Sequence, residues 1–127
     1  PTEHRGSDMG EESTHIENIT FTNITMDRIY FWPINFNIAE NNLCDAVKNI
    51  YFDNIHAFGA RTVQLQGRES CPLQNIYFSN CHFTQISYEQ IDNKFGKKLA
   101  ERGTPLAPPN FRWVDNLVLN NTVFHVK

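Results

Sequence analysis

The sequence has little of what marks several common protein classes. Its 127 residues include only three cysteines, which are too few for a disulfide-rich scaffold and leave at least one without an intramolecular partner. There are 11 Lys and Arg against 14 Asp and Glu, so the chain lacks the basic excess of a general nucleic-acid binder. All apolar runs are far shorter than the roughly 20 residues of a membrane-spanning helix. These absences predict a globular chain that binds neither nucleic acid nor membrane.

The start of the sequence also lacks common features. Pro1–Ser13 is polar and charged throughout, whereas a secretory leader is basic and then apolar. The first residue is not methionine. We therefore expect a processed product or a piece of a longer chain, with removal of the methionine or a tag remnant as the alternatives.

One nine-residue pattern occurs four times. Its nine positions are, in order: an aliphatic residue, any residue, Asn, an aliphatic residue, any residue, either an aromatic residue or Leu, any residue, Asn, and any residue. The copies start at Ile16, Val47, Leu73 and Val114, at intervals of 31, 26 and 41 residues. Such intervals are typical of stacked repeats in which each unit packs against the next.

The pattern inside each copy predicts strands. Apolar and polar residues alternate, with a change of phase at each Asn, and this period belongs to strands rather than helices. Asn also tolerates the left-handed backbone that a bend requires. Two further alternating segments, Pro33–Ile38 and Thr62–Gly67, follow the first two copies. The sequence therefore predicts an all-β fold, a right-handed parallel β-helix of about four coils.

Two sets of recurring polar residues have a structural interpretation. Asn23, Asn54, Asn80 and Asn121 are expected to stack as a ladder of amide hydrogen bonds. Glycosylation is the alternative, because Asn-x-Thr occurs at three places, but the same Asn recurs in copies without that pattern. His56, His82 and His125 likewise predict a packed column rather than a zinc site. We expect no metal and no cofactor.

Residues 87–103 depart from the repeat and predict a helix that covers the last coils. Ser87 and Gln90 form a capping-box pattern, and Ile86 with Ile91 suits a hydrophobic staple. The expected apolar stripe comprises Tyr88, Ile91, Phe95 and Leu99, and the expected solvated basic face comprises Lys94, Lys97, Lys98 and Arg102.

The resulting organisation has four parts. Residues 1–15 are a polar lead-in, 16–86 form coils, and 87–103 form the capping helix. Residues 104–127 comprise a loop, with Leu106–Asn110 rich in proline, and then the final coil. The helix caps one end, but the first coil near Ile16 has no cap, so it would expose apolar side chains and open strand edges. We expect preceding coils of the same protein to cover that end, with self-association as the alternative.

The repeats resemble a known family. Ile16–Ile38, with its N-I-T-F-T-N-I-T-M run and P-I-N-F-N-I, and Val47–Gly67 are similar to late coils of the glycoside hydrolases of family 28, the polygalacturonase group. The resemblance covers residues 16–86. It implies a secreted or periplasmic enzyme that hydrolyses a pectin-like polysaccharide with inversion, and a substrate cleft lined by the sheet that contains Pro33–Ile38.

The catalytic signatures of that family do not occur here. They are an Asn-Thr-Asp strand, an Asp-Asp pair, a Gly-His-Gly turn and an Arg-Ile-Lys strand, and Arg28-Ile29-Tyr30 stands in the wrong part of the coil to replace the last. Inversion requires one carboxylic acid and one carboxylate, about 6.5–9.5 Å apart. We therefore assign no catalytic residue, expect the acid and base on missing upstream coils, and expect this chain alone to be inactive.

Several side chains remain as candidates for binding polysaccharide. Asn35, Asn37, Gln64 and Gln66 are expected to point outward from the cleft-side strands and bind sugar hydroxyls, with a simple solvated strand face as the alternative. Trp32 offers an apolar face for a sugar ring or a cover over a bend, and Arg5, Arg61 and Arg68 suit uronate carboxylates. The alternative function is a non-catalytic β-helix module with a structural or carbohydrate-binding role.

Overall fold

The computed structural model describes residues 14–38, 44–91, 101 and 103–126. These residues form an all-β fold of nine strands. The strands are β1 Thr14–Ile29, β2 Ile34–Asn37, β3 Cys44–Gly59, β4 Val63–Gln66, β5 Leu73–Ser79, β6 His82–Gln85, β7 Asn110–Arg112, β8 Val114–Asn120 and β9 Val123–His125. Among the described residues, no helix is long and apolar enough to span a membrane.

The strands pair in parallel, each with the corresponding strand of the neighbouring repeat. We number the repeats along the chain: β1 and β2, then β3 and β4, then β5 to β7, then β8 and β9. In sheet A, β3 pairs with β1 on one side and with β5 and β6 on the other, and β8 and β9 follow. Sheet B has the order β2-β4-β7. The parallel sheets curl into a half-barrel.

The register of sheet A confirms the alignment of the sequence repeats. Ile16 lies beside Val47, Val47 beside Leu73, and Leu73 beside Val114. Bends occur where the sequence places asparagine, and all eight repeat asparagines have φ between 47° and 63°. This left-handed conformation is costly for most L-residues and mild for Asn, so asparagine favours a bend at these eight positions. Arg28 and Trp113 adopt it as well, with φ of 57° and 54°.

Alternation within the strands places one set of side chains in the interior. Val47, Ile50, Phe52 and Ile55 of β3 are at most 3% exposed. Equivalent positions stack from repeat to repeat, so the ring of Phe52 lies 5.3 Å from Phe21 and 4.6 Å from Phe78. Stacking of like side chains therefore makes the apolar core continuous from one repeat to the next.

The predicted helix over 87–103 is wrong in its described part. The structure has a single turn of 3₁₀ helix at Tyr88–Gln90, and the backbone of Ile91 is extended. The side chain of Ile91 is buried in a small cluster with Ala60, Ile86 and Tyr88, so the predicted contact between Ile86 and Ile91 forms without a helix. The predicted Gln90 contact forms, since its side chain accepts a hydrogen bond from the Ser87 backbone at 2.8 Å.

The remainder of the helix prediction lies outside the described residues. This applies to Phe95 and Leu99 of the stripe and to the basic residues Lys94, Lys97, Lys98 and Arg102. The predicted loop over Leu106–Asn110 ends one residue early, because Asn110 begins β7 and pairs with Gln64 of β4.

One disulfide joins the start of the second repeat to the start of the third. It connects Cys44 and Cys71, whose Cα atoms lie 6.1 Å apart. Cys81 is free and buried in the core. The sequence places Cys71 and Cys81 on either side of one strand without establishing a bond, and the structure instead pairs Cys71 with Cys44. Cys44 begins β3, and Cys71 lies just before the neighbouring strand β5.

Candidate functional site

Sheet B presents a polar face that follows directly from the alternation of its strands. Ile34, Val63 and Leu65 are buried, whereas their neighbours Asn35 and Gln64 point outward. The predicted inward and outward positions of β2 and β4 are therefore confirmed. The outward face of sheet B also includes Asn37 and Gln66, as predicted.

The outward amides of sheet B form a hydrogen-bonded row across all three strands. Gln64 Nε2 donates to Asn35 Oδ1 at 3.1 Å, and Asn110 Nδ2 donates to Gln64 Oε1 at 3.2 Å. The row fixes which way the Gln64 carboxamide points, because its nitrogen donates to Asn35 and its oxygen accepts from Asn110. It leaves Asn35 Nδ2 as a donor at one end and Asn110 Oδ1 as an acceptor at the other.

A second outward row lies two residues further along the same strands. Asn37 pairs in register with Gln66, and Gln66 pairs with Arg112. Asn37 and Arg112 are exposed, and Gln66 is half-buried. The two rows together form a continuous surface of amides with one guanidinium, which we call the amide face.

Trp32 and Arg61 meet just ahead of β2 and β4. The Arg61 guanidinium carbon lies 5.0 Å from the centre of the Trp32 ring, a cation–π distance. Arg61 Nε is buried, and within the described residues it has no hydrogen-bond partner. Trp32 is half-buried, so the structure gives its ring a partner on the protein and places the pair next to the amide face.

The two remaining predicted residues do not join this surface. Arg68 Nε donates to the backbone oxygen of Ile38 at 2.9 Å, so this side chain ties the second repeat to the first. Arg5 lies outside the described residues.

The outward positions of the three sheet B strands hold no carboxylate. They are occupied by Asn35, Asn37, Gln64, Gln66, Asn110 and Arg112. Glu69 is exposed in the turn after β4. No group of three or more His, Cys, Asp or Glu in the described part of the chain is arranged to hold a metal ion. The outward side chains of this face offer hydrogen bonding and one positive charge.

Sequence reasoning missed Asn110 and Arg112. The signal was present, because Asn110-Phe111-Arg112 alternates polar and apolar residues as β2 and β4 do. Pro108 and Pro109 stand directly before it and predict a loop, which obscured a strand of only three residues.

The polar columns on sheet A are structural. Asn49, Asn75 and Asn116 each donate through Nδ2 to the Oδ1 of the asparagine one repeat earlier, at 3.0, 3.0 and 2.8 Å, so a continuous ladder runs from Asn18 to Asn116.

The predicted ladder through Asn23, Asn54, Asn80 and Asn121 forms only in part. Bonds of 2.8 and 2.7 Å join its first two and last two members, but Asn80 Nδ2 turns to Asp53 Oδ1 at 3.5 Å. The predicted column of His56, His82 and His125 also stacks, with ring centres 5.0 and 6.4 Å apart.

Comparison with protein-family models, curated proteins and solved structures finds no match to this chain. The comparisons therefore assign neither a family nor a function.

Proposed function

We propose that this chain is the C-terminal part of a pectin-type glycoside hydrolase built on a right-handed parallel β-helix. Its activity would be inverting hydrolysis of a galacturonan-like polysaccharide, with the acid and base on preceding coils. The repeat motifs of residues 16–86 support this proposal, as do the parallel strands that stack in the register of those motifs.

The amide face is the observation that carries the proposal. Carboxamides donate and accept hydrogen bonds, which matches the hydroxyl groups of a sugar. Gln64 is held in the middle of its row by two hydrogen bonds, so its side chain is oriented before any ligand arrives. Such preorganisation lowers the entropic cost of binding.

The Trp32–Arg61 pair extends this surface toward an acidic sugar. An aromatic ring packs against the apolar face of a pyranose, and a guanidinium pairs with a carboxylate. Within the described residues no ion pair to Arg61 is present, and the proposal pairs its guanidinium with a uronate carboxylate.

This chain supplies binding rather than catalysis in the proposal. Inversion needs two carboxyl groups facing the same bond, about 6.5–9.5 Å apart. The outward positions of the sheet B strands offer amides and a guanidinium instead. The acid and base are therefore proposed for preceding coils, where the substrate cleft would continue.

The disulfide supports a secreted or periplasmic location. Cys44 and Cys71 are bonded, and such bonds persist in oxidising compartments. The polysaccharide substrates of this class of enzyme lie outside the cell, which is consistent with that location.

Titration calorimetry with an oligogalacturonate tests the proposed binding face. A neutral galacto-oligosaccharide of equal length serves as the second probe. We expect Gln64→Ala and Asn37→Ala each to weaken binding about 5- to 10-fold, the effect of losing one or two hydrogen bonds. Thr20→Ala, on the exposed side of β1, is the matched control and should leave affinity unchanged.

The same samples test whether this chain hydrolyses the polysaccharide without the preceding coils. We expect no release of reducing ends from polygalacturonate by this chain alone. Hydrolysis would contradict the placement of the acid and base on preceding coils. If neither oligosaccharide binds, the amide face is a solvated strand surface and the proposal fails. Equal binding of both probes, with loss in Gln64→Ala, would support instead the non-catalytic carbohydrate-binding module.

A further inference from the structure

Trp113 combines a left-handed backbone with an exposed side chain. Its φ is 54°, which is uncommon for residues other than glycine and asparagine and is a marked outlier for a bulky side chain. The residue is 44% exposed, so burial in the core does not account for this conformation. Backbone strain of this kind persists where surrounding contacts hold it, and such residues cluster at binding and active sites.

The second and third repeats hold the backbone of Trp113 in place. The Gly67 N–H donates to the Arg112 carbonyl at 2.9 Å, and the Leu73 N–H donates to the Trp113 carbonyl at 3.0 Å. Gly67 also allows the close approach, because a Cβ atom there would lie 2.6 Å from the Trp113 carbonyl oxygen. Two consecutive carbonyls are thus fixed by main-chain contacts, which maintain the left-handed conformation.

Arg112 stands beside Trp113 at the end of β7. Phe111 packs against the core, so the alternation of the strand turns Arg112 outward onto the amide face. Among the described residues, no carboxylate pairs with Arg112 and no aromatic ring or guanidinium stacks on Trp113. An exposed guanidinium and an exposed indole therefore occupy adjacent positions.

These two residues lie at the opposite end of the sheet B strands from Trp32 and Arg61. Trp32 precedes β2 and Arg61 precedes β4, whereas Arg112 ends β7 and Trp113 follows it. The three strands are parallel, so the amide face lies between two sites that each combine an indole with a guanidinium. Arg112 is in register with Gln66 and continues the second row of the face.

We propose that Arg112 and Trp113 form a binding subsite for an acidic sugar at this end of the amide face. An indole packs against the apolar face of a pyranose, and a guanidinium pairs with a carboxylate through two parallel hydrogen bonds. A neutral sugar makes the first contact but not the second, so the subsite favours a uronate. This inference rests on the proposed function, because it extends the proposed binding surface.

The register indicates the size of ligand that reaches both ends. Arg112 aligns with Asn37 through Gln66, so Trp113 corresponds to position 38 of the first repeat. The distance along the strands from Trp32 to this position is roughly 20 Å at about 3.3 Å per residue. A single sugar ring is much shorter than this span. The ligand that contacts both sites is therefore an oligosaccharide.

Tryptophan fluorescence tests the subsite directly. The chain has two tryptophans, so Trp32→Phe leaves Trp113 as the remaining one. We expect an oligogalacturonate to shift or quench the emission of this variant, and a neutral galacto-oligosaccharide of equal length to change it less. Unchanged emission at oligogalacturonate concentrations that saturate binding in calorimetry would overturn the proposal.

Calorimetry with Arg112→Gln tests the charge recognition. We expect this variant to bind the oligogalacturonate about 10-fold more weakly, since it loses a charge-assisted contact, and to bind the neutral oligosaccharide as the wild type does. Lys48→Gln removes a positive charge from sheet A and is the matched control. An equal loss for both probes would show that the guanidinium does not recognise the carboxylate, and would overturn the assignment to a uronate.

Trp113→Asn separates the ring from its backbone conformation. Asparagine adopts the left-handed region readily, so we expect the urea midpoint of this variant to equal or exceed that of the wild type. Its affinity for both oligosaccharides should fall about 5-fold or more, because the stacking surface is lost. A lower midpoint with unchanged affinity would show that Trp113 is purely structural and would overturn the proposal.

The same titrations distinguish this inference from the proposed function. Binding that weakens in Gln64→Ala but not in Arg112→Gln or Trp113→Asn would support the amide face and overturn the subsite. Binding that weakens in Arg112→Gln and Trp113→Asn but not in Gln64→Ala would support the subsite and contradict the role of the amide row. Absence of binding to either oligosaccharide would overturn both.

Discussion

Asparagine at the bends acts through both its backbone and its amide. Asn49 has φ of 58°, donates to Asn18 and accepts from Asn75. A residue replacing it must adopt the left-handed conformation without the side chain that bridges the repeats. Substitutions at one position can separate these two contributions.

We expect Asn49→Ala to lower the free energy of unfolding by about 2–4 kcal/mol, from two lost hydrogen bonds and the left-handed backbone. Asn49→Gly loses the same bonds but tolerates the backbone, so it should cost about 1–2 kcal/mol. Urea denaturation of both variants measures the difference. Equal losses would show that the backbone conformation carries no cost here.

His15 ties the start of β1 to the second repeat. Its ring nitrogens lie 2.7 Å from Asp45 and 3.0 Å from Glu17. The hydrogen bond to Asp45, followed by that to Glu17, raises the pKa of His15 above its ordinary value of 6.5. The hydrogen bond to His15 lowers the pKa of Glu17 below 4.5.

The signs of these pKa shifts define a pH window. The His15 contribution to stability is complete below pH 6.5 and is lost as the pH rises through the raised pKa. The Glu17 contribution is present above pH 4.5 and is lost as the pH falls through the lowered pKa. The contacts of His15 with Asp45 and Glu17 therefore stabilise the fold most between pH 4.5 and pH 6.5.

An NMR titration of His15 checks this contact. We expect Asp45→Asn to move the pKa of His15 down toward 6.5, because the neutral amide no longer favours the imidazolium. Asp27→Asn, also on the exposed surface but at the other end of β1, should leave it in place. A His15 pKa that does not respond to Asp45→Asn would contradict the contact.

Among the elements, the link between β3 and β5 has covalent support. The disulfide Cys44–Cys71 closes a loop with a sequence separation of 27 and joins the first residue of β3 to the segment just before its neighbour β5. A cross-link restricts the unfolded chain, and the restriction increases with loop length.

We expect replacement of Cys44 and Cys71 by serine to lower the free energy of unfolding by about 3.5 kcal/mol on the chain-entropy account. Chemical denaturation with and without reductant measures it. Reductant should destabilise the wild type and leave the double variant unchanged. A wild type indifferent to reductant would show that the bond contributes nothing to stability.

The elements also show how far local sequence signals extend. The bends, the register and the inward positions of β1 to β5 follow from the repeat, because period and residue type act locally. The helix predicted over 87–103 is replaced in its described part by one 3₁₀ turn, and Ile91 has an extended backbone although it is buried with Ala60 and Ile86 as the apolar pattern indicated. β7 was missed because pairing with β4, rather than its own three residues, makes it a strand.

At the scale of the whole molecule, stability should vary along the stack. The second and third repeats have neighbours on both sides in sheet A, whereas β1 and β8 have a described neighbour on one side only. In stacked repeats, each unit contributes mainly through its contacts with adjacent units. The terminal repeats should therefore open before the middle ones.

Hydrogen exchange measured residue by residue checks this gradient. We expect slower amide exchange at Ile50 and Ile76 in the middle repeats than at Ile19 and Leu117, which occupy the same position in the terminal repeats. Uniform protection at all four sites would show that the stack unfolds as one cooperative unit.

Local period and residue type were enough to predict part of this fold. Alternation sets which side chains of Ile34–Asn37 face inward, and asparagine favours bends at eight positions of the repeats. Other features depend on contacts between residues that are distant in the chain. The tertiary structure selected Cys71 as the partner of Cys44, joined Asn110 to Gln64 in one amide row, and turned Arg68 to the backbone of Ile38. These contacts depend on how the repeats stack, and no short segment of sequence encodes that geometry.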